Sequence, residues 1–294
     1  MRANINGVGV ALITPFDDRG AVDFAALDRL VEHVTEGGVD YLVALGTTAE
    51  TPTLSKSERN EIIACIKQSN RRGLPLVVGV GCNSTQHVVD DLASLDLAGV
   101  EAILSVAPYY NRPSQRGLVE HYRVVAEASP APVIIYNVPT RTGVNITVDS
   151  TLRLAHDVPN ICGVKEACGT LGQMAHILKG RPEGFAVLSG DDALAMPLAA
   201  LGGDGVISVI SNAFPAQFTA MVRAGFDGDV ATASALYMRL LEATDAMFEE
   251  GNPTGVKMAL YIKGLIRNNL RLPLVSGSEA LEARIRKIVR EEGL

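Results

Sequence analysis

The sequence of 294 residues lacks three features that would each assign it to a broad class of protein: a long apolar run, a basic run and paired cysteines. Its apolar stretches are too short to cross a bilayer, and Met1–Gly7 lack the basic and apolar regions of a signal peptide. It has 26 basic and 33 acidic residues, a net charge of −7, and no Lys/Arg run that could form a duplex-binding face. These absences argue against membrane insertion, secretion and nucleic-acid binding.

Metal-binding and cofactor-binding patterns are also missing. The four cysteines are Cys65, Cys82, Cys162 and Cys168. They follow no paired spacing, which indicates free thiols in a reducing compartment and predicts a cytoplasmic protein. The histidines are His33, His87, His121, His156 and His176. They fall in predicted helices without ligand spacing, which argues against a zinc-dependent aldolase. Because a P-loop and a dinucleotide fingerprint are absent too, we predict no metal and no separate cofactor.

What the sequence does contain is a regular alternation of apolar runs and amphipathic segments. Eight runs are predicted to be strands: Val8–Ile13, Tyr41–Leu45, Leu76–Val80, Ala102–Val106, Val133–Val138, Ile161–Lys165, Ala186–Ser189 and Gly205–Val209. Most are continuously apolar, as parallel strands buried on both faces must be. The predicted helices between them include Phe24–Glu36, Lys56–Gln68, Gln115–Ala128 and Asp192–Leu201. Eight such units predict a (β/α)8 TIM barrel; an open doubly wound sheet is the alternative, but the missing fingerprint favours closure.

The strand pattern stops near Asp227, and the rest of the chain is predicted to be helical. Three helices are predicted there: Val230–Phe248, Gly255–Ile266 and Glu279–Glu291. We therefore divide the chain into a catalytic barrel over residues 1–226 and a C-terminal helical region over residues 227–294. No low-complexity linker separates the two parts, which predicts that they are docked together.

Lys165 lies at the end of the predicted strand Ile161–Lys165, where a soluble protein has little reason to place a lysine. A buried ammonium loses its hydration, and a neutral amine is a nucleophile towards carbonyl carbons. One strand earlier, the segment Tyr136–Gly143 supplies a phenol and an anion-binding guanidinium, Arg141. This combination predicts a Schiff-base enzyme that acts on a keto acid.

Other polar residues fall at the same end of the predicted barrel. This is the end at which the strands terminate, and barrels of this architecture have their active sites there. The residues that follow the other strands are Thr47, Thr48, Asn83, Tyr109, Tyr110 and Gly190. Taken singly, each kind has an ordinary structural explanation, such as a helix cap, a core tyrosine or a surface charge. Only their joint placement favours an active site.

Three further polar features are interpreted as structural. Glu50 is interpreted as a solvated or capping charge, and Asp192 as the cap of the helix after the seventh strand. The glycines of Gly202–Gly205 precede the eighth strand, at the opposite end of the barrel from the expected site. We therefore predict a tight turn there rather than a phosphate cradle.

Five motifs, in order along the chain, resemble those of the dihydrodipicolinate synthase / N-acetylneuraminate lyase family. They are Gly46–Glu50, Pro108–Asn111, Tyr136–Pro139, Gly163–Glu166 and Ser189–Asp192. The resemblance runs from Gly9 to about Pro273. Thr47, Thr48 and Arg141 resemble the synthase branch of the family rather than the sugar-acid lyases.

The resemblance implies a class I aldolase mechanism. Lys165 would form an imine with pyruvate, and the derived enamine would attack aspartate-4-semialdehyde, giving 4-hydroxytetrahydrodipicolinate for lysine and diaminopimelate synthesis. Tyr136 would be the general acid/base, with its proton relayed through Thr48 to Tyr110. Such a relay is useful because a phenol alone is a weak base at neutral pH.

The resemblance also implies binding residues and an assembly. Arg141 would hold the carboxylate of the aldehyde substrate, a task suited to a planar guanidinium. Thr47, Gly190 and Ile207 would line the site of the pyruvate moiety. Members of the family are usually homotetramers built from tight dimers, in which Tyr110 would reach into the neighbouring subunit's site.

Two departures from the family pattern lead to expectations. Ala49 stands where the family has glycine, so a positive φ there would strain the loop. His87 and Arg59 match positions at which lysine-inhibited members have glutamate and histidine, and Lys56 is nearby. Since these residues make the pocket less acidic, we expect weak or absent feedback inhibition by lysine.

Two alternatives remain open from the sequence. Another pyruvate-dependent aldolase of the family, acting on a 2-keto-3-deoxy sugar acid or N-acetylneuraminate, would need hydroxyl-recognising groups after the eighth strand. Ser208 and Ser211 are the hydroxyls available there. A non-catalytic barrel that binds a keto acid is the other alternative, and it would need neither a proton relay nor an imine-forming amine.

Overall fold

The computed structural model describes residues 3–294 and contains a closed barrel of eight parallel strands. The strands are β1 (Gly7–Ala11), β2 (Tyr41–Ala44), β3 (Leu76–Gly79), β4 (Ala102–Val106), β5 (Val133–Asn137), β6 (Ile161–Glu166), β7 (Ala186–Ser189) and β8 (Gly205–Ser208). Each strand pairs with the next along the chain, and β8 returns to pair with β1. The predicted TIM barrel is confirmed and the open sheet is wrong.

Helices follow the strands and cover the outside of the barrel. They are α1 (Phe24–Glu36), α2 (Lys56–Ser69), α3 (Thr85–Ser94), α4 (Gln115–Ala128), α5 (Pro139–Thr142), α6 (Val148–Asp157), α7 (Leu171–Gly180), α8 (Ala195–Ala200) and α9 (Pro215–Phe226). Their starts follow from local chemistry. At α2, the Ser55 hydroxyl accepts from the Glu58 N–H while the Ser55 N–H donates to the Glu58 carboxylate, a reciprocal capping box.

The prediction for the segment after β7 was wrong in two respects. The predicted helix Asp192–Leu201 is a 3-10 turn, Asp192–Leu194, followed by the short α8. Its cap is Asp191, whose carboxylate accepts from the Ala193 N–H. Asp192 is buried and accepts instead from the backbone N–H groups of Val209 and Ile210, beyond β8. Burial raises the pKa of Asp192 to about 6, although these hydrogen bonds favour the ionised form.

Residues within a strand alternate between the barrel interior and the helix-facing side. The interior cluster includes Tyr136 of β5, Leu188 of β7 and Ile207 of β8. Asn137, which follows Tyr136, and Glu166, which follows Lys165, point outwards. Both are fully buried beneath the helices. Because both faces of each strand are covered, the strand sequences are continuous apolar runs. The few polar residues at the strand ends are therefore easy to recognise in the sequence.

The C-terminal region forms α10 (Val230–Glu249), α11 (Thr254–Ile262) and α12 (Glu279–Glu291), with α10 packed against α9, α11 and α12. The second helix is shorter than the predicted Gly255–Ile266. Gly264 takes a positive φ of 75°, and the Leu265 N–H turns back to the Leu260 carbonyl. This Schellman arrangement ends the helix before Ile266. The division of the chain at residue 226 stays a prediction.

A buried histidine joins two barrel helices. His121 of α4 lies 2.9 Å through Nδ1 from the Thr85 hydroxyl at the start of α3, and its buried Nε2 has no partner within residues 3–294. Burial lowers the pKa of His121 to about 4. The fold therefore favours the neutral imidazole.

Replacing His121 with glutamine is expected to flatten the acid side of the stability profile. The unfolded chain takes up a proton at this position near pH 6.5, whereas the folded protein does so only near pH 4. The free energy of unfolding therefore falls as the pH is lowered through this range, by ~3 kcal/mol in total from this one group. Denaturant titrations at neutral and acidic pH measure the loss, and an equal loss in the variant would contradict this account.

Candidate active site

Lys165 and Tyr136 lie side by side at the carboxyl end of the barrel. They are register partners across β5 and β6, and the Lys165 Nζ lies 4.3 Å from the centroid of the Tyr136 ring. Lys165 is only 5% exposed and makes no ion pair within residues 3–294. Its amine is therefore not committed to a carboxylate, and it can attack a carbonyl carbon without first breaking such a pair.

Gly190 provides the space that the Lys165 side chain occupies. It follows β7, and its N–H donates to the Glu166 carbonyl over 2.8 Å. A Cβ at position 190 would lie 2.7 Å from the Ala167 Cβ and 3.0 Å from the Lys165 Cε. The backbone of Gly190 therefore packs directly against the lysine, and Ile207 of β8 contributes to the same interior.

A polar network fixes the outward-facing side of the two central strands. The Glu166 carboxylate accepts from the Asn137 amide at 2.8 Å, from the Gln173 amide at 2.8 Å and from the Cys168 N–H at 2.9 Å. Burial raises the pKa of Glu166, against the effect of these hydrogen bonds. Because Asn137 and Glu166 directly follow Tyr136 and Lys165, the network fixes the strand ends that carry the two reactive side chains.

The threonine pair lies in a 3-10 turn, Thr47–Ala49, after β2. Ala49 is buried within that turn, and the positive φ angles fall on its neighbours Leu45 (54°) and Glu50 (55°). The position of Ala49 therefore does not require glycine. The expected strain exists in this loop, but at Leu45 and Glu50 rather than at Ala49.

Thr48 is buried, and its hydroxyl oxygen accepts from the Asn252 side-chain amide over 3.0 Å. Within residues 3–294, no hydrogen bond joins Thr48 to Tyr136 or to Tyr110. The hydrogen of the Thr48 hydroxyl is thus free to donate to a further group. The predicted relay stays a prediction, and Asn252 is a neighbour that the sequence did not indicate.

Arg141 extends from the short helix α5, and its Nη2 donates to the Asn252 backbone carbonyl over 3.4 Å. Gly143 ends α5 with φ 74°, which places the chain in the left-handed region that glycine adopts without strain. Arg141 itself is exposed. Its guanidinium is therefore fixed at one point and keeps other donors free for an anion.

Tyr110 points away from the barrel of its own chain. It is 88% exposed and has a φ of 75°, a rare conformation for a large residue. Its neighbour Tyr109 is more covered, and burial raises the pKa of Tyr109. These two features set Tyr110 apart from Tyr41, Tyr122 and Tyr136, which are buried.

The interpretation of Glu50 as a solvated charge was wrong. Glu50 is 1% exposed and forms an ion pair with Lys257 of α11, which is fully buried. Lys257 also donates to the Asn269 carbonyl over 2.9 Å and lies 4.2 Å above the Phe16 ring. Burial lowers the pKa of Lys257 to about 8, and the Glu50 carboxylate opposes that shift.

The glycine-rich turn before β8 lies at the other end of the barrel from this site. Gly202–Gly205 forms the predicted turn at the entry of β8, where Asp204 pairs with Arg181. Within residues 3–294 we find no group of three or more His, Cys, Asp or Glu side chains placed to hold a metal ion. Across the same residues, none of the helices has both the length and the apolar character needed to cross a membrane.

The chain is similar to known proteins in both sequence and fold. A model of the Dihydrodipicolinate synthetase family matches residues 4–292. The 4-hydroxy-tetrahydrodipicolinate synthase of Parabacteroides distasonis is 47% identical over 98% of this chain and 97% of its own. The crystal structure of dihydrodipicolinate synthase from Thermotoga maritima superposes with a TM-score of 0.96, at 37% identity and 99% coverage of both chains. The enzyme from Cyanidioschyzon merolae, solved with lysine bound, gives a TM-score of 0.95 at 35% identity, with both chains fully covered.

Proposed function

Because the chain belongs to the dihydrodipicolinate synthetase family, we propose that it condenses pyruvate with aspartate-4-semialdehyde to form 4-hydroxytetrahydrodipicolinate. It is a lyase of lysine and diaminopimelate biosynthesis that works through a Schiff base with its own lysine. The observation that carries the site assignment is the buried amine of Lys165, which lies against Tyr136 and Gly190 and has no ion-pair partner among residues 3–294.

Lys165 attacks the keto carbon of pyruvate, water leaves, and an imine forms. Loss of a proton from the methyl carbon gives an enamine, whose carbon attacks the aldehyde carbon of the second substrate. The amino group of that substrate then displaces the Lys165 amine and closes the ring. We assign to Tyr136 the role of accepting and returning protons, with Thr48 and Tyr110 passing them on. The carbon chemistry passes through the enzyme's own amine, so no separate cofactor takes part.

Four further residues are assigned to binding the two substrates. Arg141 holds the carboxylate of the aldehyde substrate through the donors left free by its contact with Asn252. Thr47, Gly190 and Ile207 surround the pyruvate moiety. Gly190 follows β7, which pairs with the Lys165 strand β6, Ile207 lies on β8, one strand further round the barrel, and Thr47 lies in the turn after β2.

The site is completed by another subunit. We assign Tyr110 to the neighbouring site of a dimer, which accounts for its exposure. Exposed apolar side chains on the packed helices α9 and α10, Phe226, Val230 and Met238, are assigned to the contact that joins two dimers into a tetramer. The assembled enzyme acts in the cytoplasm, where its four free thiols stay reduced.

The sugar-acid alternative lacks the hydroxyls that it needs. Ser208 and Ser211 are both fully buried, and the Ser208 hydroxyl already accepts from the Ser211 N–H over 3.0 Å. Ser208 also lies next in sequence to the inward-facing Ile207, so it faces the helices. Ser208 is therefore committed and faces away from the barrel interior, which favours the synthase.

Pyruvate consumption measured with and without aspartate-4-semialdehyde tests the proposed function. We expect consumption that depends on the aldehyde, and no release of pyruvate from N-acetylneuraminate or a 2-keto-3-deoxy sugar acid. Pyruvate release from either sugar acid, without aldehyde-dependent consumption, would move the assignment to the other branch.

Lysine is expected to inhibit this enzyme weakly or not at all. The resemblance matches Arg59 and His87 to the positions at which lysine-inhibited members of the family bind the inhibitor's ammonium. Arg59 pairs with Asp91 at 3.1 Å, so the charge of that carboxylate is already compensated. A lysine titration of the turnover rate measures this, and inhibition at micromolar lysine would contradict it.

A further inference from the structure

The loop that carries Thr47 and Thr48 is held in an unfavourable backbone conformation. Leu45 and Glu50, on either side of the threonines, have φ angles of 54° and 55°. For residues other than glycine, such conformations cost free energy and persist only where the surrounding structure enforces them. The contacts around the loop therefore decide where the threonine hydroxyls lie.

The C-terminal helical region supplies those contacts. Lys257 pairs with one carboxylate oxygen of Glu50, and the Arg271 N–H donates to the other over 2.9 Å. The Arg271 side chain also donates to the Thr53 carbonyl over 2.9 Å. A region distant in sequence thus fixes the end of the loop that follows the threonines.

Asn252, from the same region, reaches the threonine pair itself. Its side-chain Nδ2 donates to the Thr48 hydroxyl oxygen over 3.0 Å, and its backbone carbonyl accepts from Arg141 over 3.4 Å. The first contact occupies a lone pair of Thr48 and directs the Thr48 hydrogen elsewhere. The second contact fixes one edge of the Arg141 guanidinium. One residue therefore contacts two groups that belong to different parts of the reaction.

The Asn252 side chain is a poor choice for stability alone. Its Oδ1 is buried and has no hydrogen-bond partner within residues 3–294. A buried acceptor without a partner costs free energy, and an apolar side chain would avoid that cost. The asparagine is better explained by what its Nδ2 does for Thr48.

We propose that Asn252 is a positioning residue for the reaction, which orients the Thr48 hydroxyl for proton transfer and holds Arg141 beside the site of the aldehyde substrate. This role rests on the function proposed above, in which Thr48 passes protons for Tyr136. Asn252 itself does not touch the reacting atoms. Through it, the C-terminal helical region acts on the catalytic loop of the barrel.

Kinetics of Asn252→Ala, Thr48→Val and the double variant test this role. Loss of one oriented hydrogen bond is expected to lower kcat about tenfold in Asn252→Ala. Because the asparagine side chain acts through Thr48, the double variant should be no slower than Thr48→Val alone. Borohydride trapping of pyruvate should reach the wild-type extent, since Lys165 and the fold are intact.

Two further variants complete the design. Asn252→Asp is nearly isosteric but cannot donate to Thr48, so it should lose activity without a change in fold. Asn268→Ala removes an asparagine of the same region that donates to Met258 rather than to the loop, and kcat should stay within about twofold. An Asn252→Asp enzyme at the wild-type rate, or losses that multiply in the double variant, would overturn the positioning role. An inactive wild-type enzyme would instead refute the function on which it rests.

Discussion

Lys165→Ala is expected to lower aldehyde-dependent pyruvate consumption by about 10⁴-fold or more, because it removes the nucleophile that carries every covalent intermediate. Lys165→Arg should be as inactive, since a guanidinium keeps the charge and length but cannot form the imine. The lysine makes no ion pair within residues 3–294, so replacing it leaves no carboxylate without its partner. Both variants should therefore fold.

Steady-state rates of the purified variants measure this effect, with circular dichroism as the check on folding. Lys179→Ala is the matched control, because Lys179 is exposed on α7, far from the strand ends. It should retain the wild-type rate. A folded Lys165→Ala protein that turns over within tenfold of the wild type would refute the imine mechanism.

Gly190→Ala is expected to lower kcat/KM by about 10²-fold or more, although it adds a single methyl group. That methyl would lie 2.7 Å from the Ala167 Cβ and 3.0 Å from the Lys165 Cε, so the lysine must shift. A displacement of about 1 Å is enough to cost two orders of magnitude in a reaction that depends on a positioned nucleophile. Gly190 does not have a positive φ, so the effect is steric rather than a matter of backbone strain.

Two comparisons isolate the steric cause. Gly172→Ala, at the start of α7, places the same methyl group in open space and should leave the rate unchanged. Adding Ala167→Gly to Gly190→Ala removes the closest contact and should restore part of the lost activity. If the double variant were no faster than Gly190→Ala, the contact with Ala167 would not contribute to the loss. A wild-type rate in Gly190→Ala itself would contradict the crowding of Lys165.

The barrel and the central part of the site could be predicted because their signals are local. Ala102–Val106 and Ala186–Ser189 were predicted with the bounds that the structure has, since continuous apolar runs define buried parallel strands. Lys165 stood out for the same reason, as a charge within such a run. Active sites of such barrels lie at the carboxyl ends of the strands, and this rule predicted that Lys165, Tyr136 and Gly190 lie together.

The supporting contacts could not be predicted because they join residues far apart in sequence. Glu50 and Lys257 are 207 positions apart, and Thr48 and Asn252 are 204 apart. Charged and polar residues outside strands are usually solvated, so nothing local distinguishes Glu50 from a surface carboxylate. Asp192 was misjudged for the same reason, because its partners lie beyond the next strand.

The most direct test of the central claim is borohydride reduction of the enzyme in the presence of pyruvate, followed by peptide mass spectrometry. We expect one reduced pyruvate per chain, on the peptide that contains Lys165, and none in Lys165→Arg. Modification that remained in that variant, or that fell on Lys257 instead, would contradict the assignment of Lys165 as the imine-forming residue.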